Sequence, residues 1–127
     1  MSVQLIPITD RTFAFAVRIV KLARYLDNKP GISQSLAKQL LHSGTAIGLH
    51  IEEALNGQSN AEFVSNISTA LKKARETLYW LKLLVASDLC DAKQLTKLTH
   101  EANQIVSILV TSMGEVPSTP ETNNRKS

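Results

Sequence analysis

Apolar residues recur every three or four positions in four separate stretches of this 127-residue chain, and residues that stop helices stand between them. That spacing is the signature of amphipathic α-helices, and it constrains the fold more than any other feature. Five Gly and four Pro also argue against a turn-rich all-β domain.

The first stretch opens at Thr9 or Asp10, both good N-caps. At about 100° per residue, Phe13, Phe15, Ala16, Ile19, Val20, Leu22, Ala23 and Leu26 fill one arc of about 180°. Arg11, Arg18, Lys21 and Arg24 occupy the opposite arc. Asp27-Asn28-Lys29-Pro30-Gly31 combines several stop signals. The second stretch starts at Ser33, carries Leu36, Leu40, Ile47, Ile51 and Leu55, and ends at Asn56 with Gly57 as cap. Gly44 and Gly48 lie beside that stripe, at a spacing that lets a neighbouring helix come close; tight packing inside one bundle is the plain reading.

The third stretch begins with the capping box Ser59-Asn60-Ala61-Glu62. Phe63, Ile67, Ala70, Leu71, Ala74, Leu78, Leu81 and Val85 then hold one face. The fourth begins near Asp91, with Leu95, Leu98, Ala102, Ile105, Val106, Leu109 and Met113 on a narrow face. Residues 115–127 are polar and aperiodic, and read as a disordered tail. The expectation is an all-α, antiparallel up-and-down four-helix bundle over residues 1–114.

Composition narrows the function classes. The single cysteine, Cys90, excludes an intramolecular disulfide and reads as intracellular or redox-indifferent; a cytoplasmic setting is the expectation. The longest runs free of Asp, Glu, Lys and Arg are too short for a membrane span, and the first residues lack a signal-peptide pattern. No phosphate-binding glycine loop is present. His50 and Glu53 stand in the reverse order of the Glu-x-x-His motif of bundle metal sites, so no metal and no other cofactor is expected. Asp88 and Asp91 flank Cys90 and disfavour a reactive thiolate. Glu52 and Glu53 point about 100° apart on a helix, which suits surface and ion-pair roles better than shared chemistry. A non-enzymatic protein is the expectation.

The net charge is +3, from 14 basic and 11 acidic residues, and residues 10–29 alone supply an excess of that size. Arg11, Arg18, Lys21 and Arg24 form a strip about 20 Å long, with Asp10 the only carboxylate in their arc, so internal salt bridges are not expected to neutralise it. Lys72, Lys73 and Arg75, with Lys82 beyond them, offer a second strip on the third helix. Such faces are most often solvated surface, yet they suit phosphate contacts that position a nucleic acid without reading its sequence. The end of the third helix is apolar nearly all round, because Tyr79, Trp80 and Leu83 lie off its core face. That pattern marks these three residues as a candidate contact between copies. Their plain alternative is to cover the loop ends of their own bundle.

Two runs carry a family resemblance. Leu41-His42-Ser43-Gly44-Thr45-Ala46-Ile47-Gly48, followed by His50-Ile51-Glu52-Glu53-Ala54, resembles the second-helix signature of the bacterial "four helix bundle protein" family. The run from Ala70 to Leu84, with Glu76, Tyr79 and Trp80, resembles its third-helix signature. That family includes proteins encoded by intervening sequences in 23S ribosomal RNA genes and accessory variability determinants of diversity-generating retroelements. The resemblance implies a barrel-like homopentamer, binding to RNA or DNA and, in the retroelement branch, a reverse-transcriptase partner. His42 and His50 depart from the family's usual Arg and Asn. The expectation is therefore an oligomeric nucleic-acid-binding accessory protein, with a protein–protein adaptor, or an intervening-sequence protein with no nucleic-acid role, as the alternative.

Overall fold

The computed structural model describes residues 2–114, with side chains from Ile8 onward; the expected tail at 115–127 lies outside the described residues. Four helices follow one another: α1 (Ser2–Asp27), α2 (Ile32–Asn56), α3 (Asn60–Ala86) and α4 (Ala92–Gly114). Consecutive helices pack together and α1 closes the ring against α4, so α1 and α3 stand diagonally opposite. This is the expected all-α four-helix bundle.

Helix ends follow local chemistry. Ser59 Oγ accepts from the Glu62 backbone N–H at 3.1 Å, while the Glu62 carboxylate accepts from Gln58 N–H at 2.7 Å. This is the capping box, with its return bond reaching one residue further back than usual. At the start of α4 the Gln94 side chain accepts from Asp91 N–H at 2.9 Å. Gly57 does stand at the end of α2, but in an extended conformation rather than the left-handed one.

The interior joins Phe15, Ile19 and Leu26 of α1 to Leu40, Ile47 and Ile51 of α2, Ile67, Leu81 and Leu84 of α3, and Ile105 and Leu109 of α4. All are fully buried, and each contributes about 1.5–3 kcal/mol on leaving water. Two tight approaches set the α1–α2 distance. A Cβ at Gly44 would lie 2.7 Å from Ile19 Cγ2, and one at Gly48 would lie 3.2 Å from Thr12 Oγ1. Between α2 and α3, the buried Ser43 and Thr77 hydroxyls lie 2.9 Å apart, and Thr77 is also 2.8 Å from the Lys73 carbonyl oxygen. Nearby, His50 Nδ1 donates to Asn66 Oδ1 at 3.1 Å. The two glycines thus serve packing within one chain.

Three details correct the sequence reading. First, α1 starts at Ser2, so Thr9 and Asp10 are helical and not caps. Ile8 is only 1% exposed, and burying it outweighs a cap preference worth about 1 kcal/mol. Second, the buried stripe of α1 is narrower than 180°. Thr12 is inside, whereas Phe13 is 66% exposed and Val20 lies outside with it. A helix at the corner of a four-membered bundle has only two neighbours, so the flank of a broad apolar arc stays in water. Third, Leu55 is exposed for the same reason near the end of α2.

Candidate nucleic-acid interface

The four basic residues of the first strip do not share one environment. Arg11 reaches across to α4 and is held there: its Nε donates to Glu101 Oε2 at 3.0 Å and its Nη2 to Glu101 Oε1 at 2.8 Å. This two-pronged bond raises the already high pKa of the guanidinium, against the smaller opposing effect of burial. The expectation that no internal salt bridge neutralises the strip therefore fails at Arg11, because the compensating carboxylate arrives from a distant helix. Arg18, Lys21 and Arg24 are exposed, and among the described residues none has a carboxylate within ion-pair distance.

These three cations spread around α1. Arg11 and Tyr25 face α4, the latter near Gln94, so the α4 side of the helix carries Arg18. Arg24 lies at the α1–α2 groove beside Lys38, with Val20, Ala23, Asp27 and Leu41. Sequence reasoning missed Lys38, whose place beside Arg24 depends on how two helices pack. Along the same side of the bundle, Phe13, Val17 and Val20 of α1 and Leu41 and Leu49 of α2 leave apolar surface in water.

On α3, Lys73 bonds Glu76 at 3.3 Å, while Lys72 and Arg75 are exposed. Lys72, Arg75, Glu76 and Tyr79 line a shallow cleft of about 480 Å³ on the outer face of this helix. Because α1 and α3 are diagonal, the two basic strips face away from each other and form no continuous patch. Trp80 packs against its own core and Leu83 is half-buried, while Tyr79 is 58% exposed and meets the Trp80 ring edge-to-face.

The remaining reactive residue types are dispersed. Among the described residues no three His, Cys, Asp or Glu side chains converge as metal ligands. Glu52, Glu53 and His42 are exposed, and His100 lies at an open groove between α3 and α4. Cys90 is buried, and burial, with Asp91 adding to it, pushes its thiol pKa up against the pull of Lys29. No described helix is long and apolar enough to cross a membrane.

Comparison with known proteins agrees with this architecture. The family model for the 23S rRNA-intervening sequence protein matches residues 6–111. Among solved structures, a protein of unknown function from the S23 ribosomal protein family of Bacteroides thetaiotaomicron superimposes with a TM-score of 0.82 at 35% identity. The match covers 87% of this chain and 98% of that one. No curated protein matches significantly.

Proposed function

The chain belongs to the 23S rRNA-intervening sequence protein family, and from that premise we propose that it is a non-catalytic accessory protein that binds structured RNA or duplex DNA through phosphates. The supporting observation is the exposed, unpaired pair Arg18 and Lys21 on one face of a rigid helix. Fixed cations without internal partners release counterions when they meet a phosphate backbone, and this drives salt-sensitive binding largely independent of sequence. One chain carries an excess of only +3. Self-association would repeat the strip and add avidity without new contacts. We assign that association to the exposed apolar side chains Phe13, Val17, Val20, Leu41 and Leu49. Trp80 is largely engaged within its own bundle. A pentamer acting with a reverse transcriptase in a retroelement is the finer form of this proposal, and its support is the resemblance of the second- and third-helix runs.

Arg18→Glu combined with Lys21→Glu tests the binding surface. The parent should bind a duplex RNA probe at low salt, and the reversal should abolish that binding while leaving helicity and assembly unchanged. Equal affinity of parent and variant at matched salt would exclude this face. The exposed apolar strip favours a second reading, a protein–protein adaptor, which takes precedence if the parent binds no nucleic acid at low salt.

A further inference from the structure

We propose that the outer face of α3 is a second, separate site that takes single-stranded nucleic acid by stacking a base on Tyr79 between flanking phosphate contacts. Lys72, Arg75, Tyr79 and Lys82 succeed one another at intervals of three, four and three residues. That spacing holds them within about 80° of one another along about 15 Å of helix. All four side chains are exposed.

The electrostatics favour an anion at this strip. Glu76 is the one carboxylate among the residues lining the cleft, and it is tied to Lys73 at 3.3 Å. Lys72, Arg75 and Lys82 have no ion-pair partner among the described residues. Three uncompensated cations over about 15 Å suit successive phosphates of one strand.

An aromatic ring with no cation already stacked on it separates this strip from that on α1, where Tyr25 is 44% exposed and covered by Lys29. Tyr79 is 58% exposed, yet its ring is held by Trp80, with centroids 5.3 Å apart and planes at 72°. Trp80 in turn packs against the core. The Tyr79 ring is thus supported by a neighbour, and an edge-to-face contact occupies at most one of its faces. Beside it opens the cleft of about 480 Å³ floored by Leu71 and lined by Lys72 and Arg75. An unpaired base can enter such a space and stack, whereas a base inside a duplex cannot leave its neighbours without an unstacking cost. Cations on both sides of an open ring are what a stacking platform requires, whereas the ring on α1, Tyr25, already has Lys29 Nζ over it at 4.4 Å from the centroid.

The test uses the full-length protein with two fluorescent RNA probes of equal charge, an oligouridylate and a blunt duplex. Tyr79→Ala should weaken oligouridylate binding by about tenfold and leave duplex binding unchanged. Tyr79→Phe, which keeps the ring and loses only the hydroxyl, should bind like the parent. Arg18→Glu with Lys21→Glu should show the reverse selectivity, losing the duplex first. The stacking site is overturned if Tyr79→Ala binds oligouridylate like the parent, if Tyr79→Phe loses as much as Tyr79→Ala, or if the parent fails to bind oligouridylate. Duplex binding that survives any of these results leaves the α1 reading standing, and oligouridylate binding without duplex binding removes that reading alone. Thermal unfolding of each variant confirms that the exposed substitutions leave the bundle intact, and Arg75→Glu gives an independent check because it should weaken oligouridylate binding with Tyr79 untouched.

Discussion

Gly44 meets Ile19 so closely that a Cβ on the glycine would lie 2.7 Å from Ile19 Cγ2 and 2.8 Å from Cγ1. Ile19 is fully buried and branched at Cβ, so it has no free end to swing aside. Gly44→Ala would gain about 1 kcal/mol in helix propensity. Overpacking at this distance costs about 1–3 kcal/mol, so the variant should be destabilised on balance. At Gly48 the nearest atom, Thr12 Oγ1, is 3.2 Å away. Gly48→Ala needs a shift of only tenths of an ångström and should be close to neutral. Urea denaturation of the two variants should show a clearly lower midpoint for Gly44→Ala; the opposite order would mean that α1 and α2 do not approach as closely as described.

Asp88 offers a stabilising change. It is the only non-glycine residue with positive φ among those described, at 64°, in the short α3–α4 connection. The left-handed region strains L-residues, less so Asp than branched ones. Asp88→Gly should therefore raise stability by up to about 1 kcal/mol, and Asp88→Val should lower it by at least as much. Thermal melts of both variants check the sign, since a side-chain role for Asp88 would make both substitutions destabilising.

The buried thiol of Cys90 predicts a pH effect. Burial raises its folded pKa above the ordinary value, so the neutral thiol favours the native state. That contribution is present in full below the unfolded pKa, and is lost as pH rises through the folded value. Stability should thus decline from about pH 9 upward. Cys90→Ala should be uniformly less stable through loss of packing, but its alkaline decline should be shallower. The difference between the two pH profiles isolates this group from Tyr25 and Lys29, which also titrate there. Parallel profiles would show that the thiol ionises as freely in the native state as in the unfolded chain.

The architecture was legible because four periodic stripes with stop signals leave few ways to bury apolar surface. Phe15, Ile19, Ile47, Ile67 and Ile105 all appear in both the expected stripes and the observed core. The reading failed at the flanks. Phe13 and Val20 belong to a broad arc, and helical spacing alone does not say how wide a wedge two neighbours cover. Thr12, Ser43 and Thr77 are buried because their hydroxyls find backbone or one another. Hydropathy assigns such residues to the surface. At the basic strip the residue types were legible and their partners were not. Glu101 lies 90 positions from Arg11, and nothing local marks the pair.

The exposed apolar strip on α1 and α2 yields a prediction about assembly. Phe13 and Leu49 are 66% and 57% exposed, and Gly48 meets Thr12, so the two neighbours lie at the same level of the bundle. Phe13→Ser with Leu49→Ser should leave the fold intact, because neither side chain fills the core. If this strip joins copies, the variant should elute as a monomer in size-exclusion chromatography with light scattering, whereas the parent elutes as an oligomer. A monomeric parent, or an oligomeric double variant, would exclude it as the contact.

The Arg11–Glu101 pair separates structural charge from binding charge. Its side chains are 38% and 21% exposed, so the bond is only partly screened by water. Removing one partner should cost about 1 kcal/mol, and a double-mutant cycle should return a coupling of similar size that shrinks in salt. Arg11 gives two of its five N–H donors to Glu101, and the carboxylate compensates its charge, so it offers a phosphate little net attraction. Arg11→Ala should therefore lower stability while leaving the slope of log affinity against log salt nearly unchanged. Arg18→Ala should do the opposite, with an unchanged melting temperature and a slope reduced by about one phosphate contact. Glu101→Gln gives the most discriminating comparison. It frees Arg11 at nearly constant volume, so a protein that binds through this face of α1 should gain affinity and salt dependence together. Unchanged affinity in Glu101→Gln, beside a lost slope in Arg18→Ala, would confine the contact to the half of α1 that begins at Arg18.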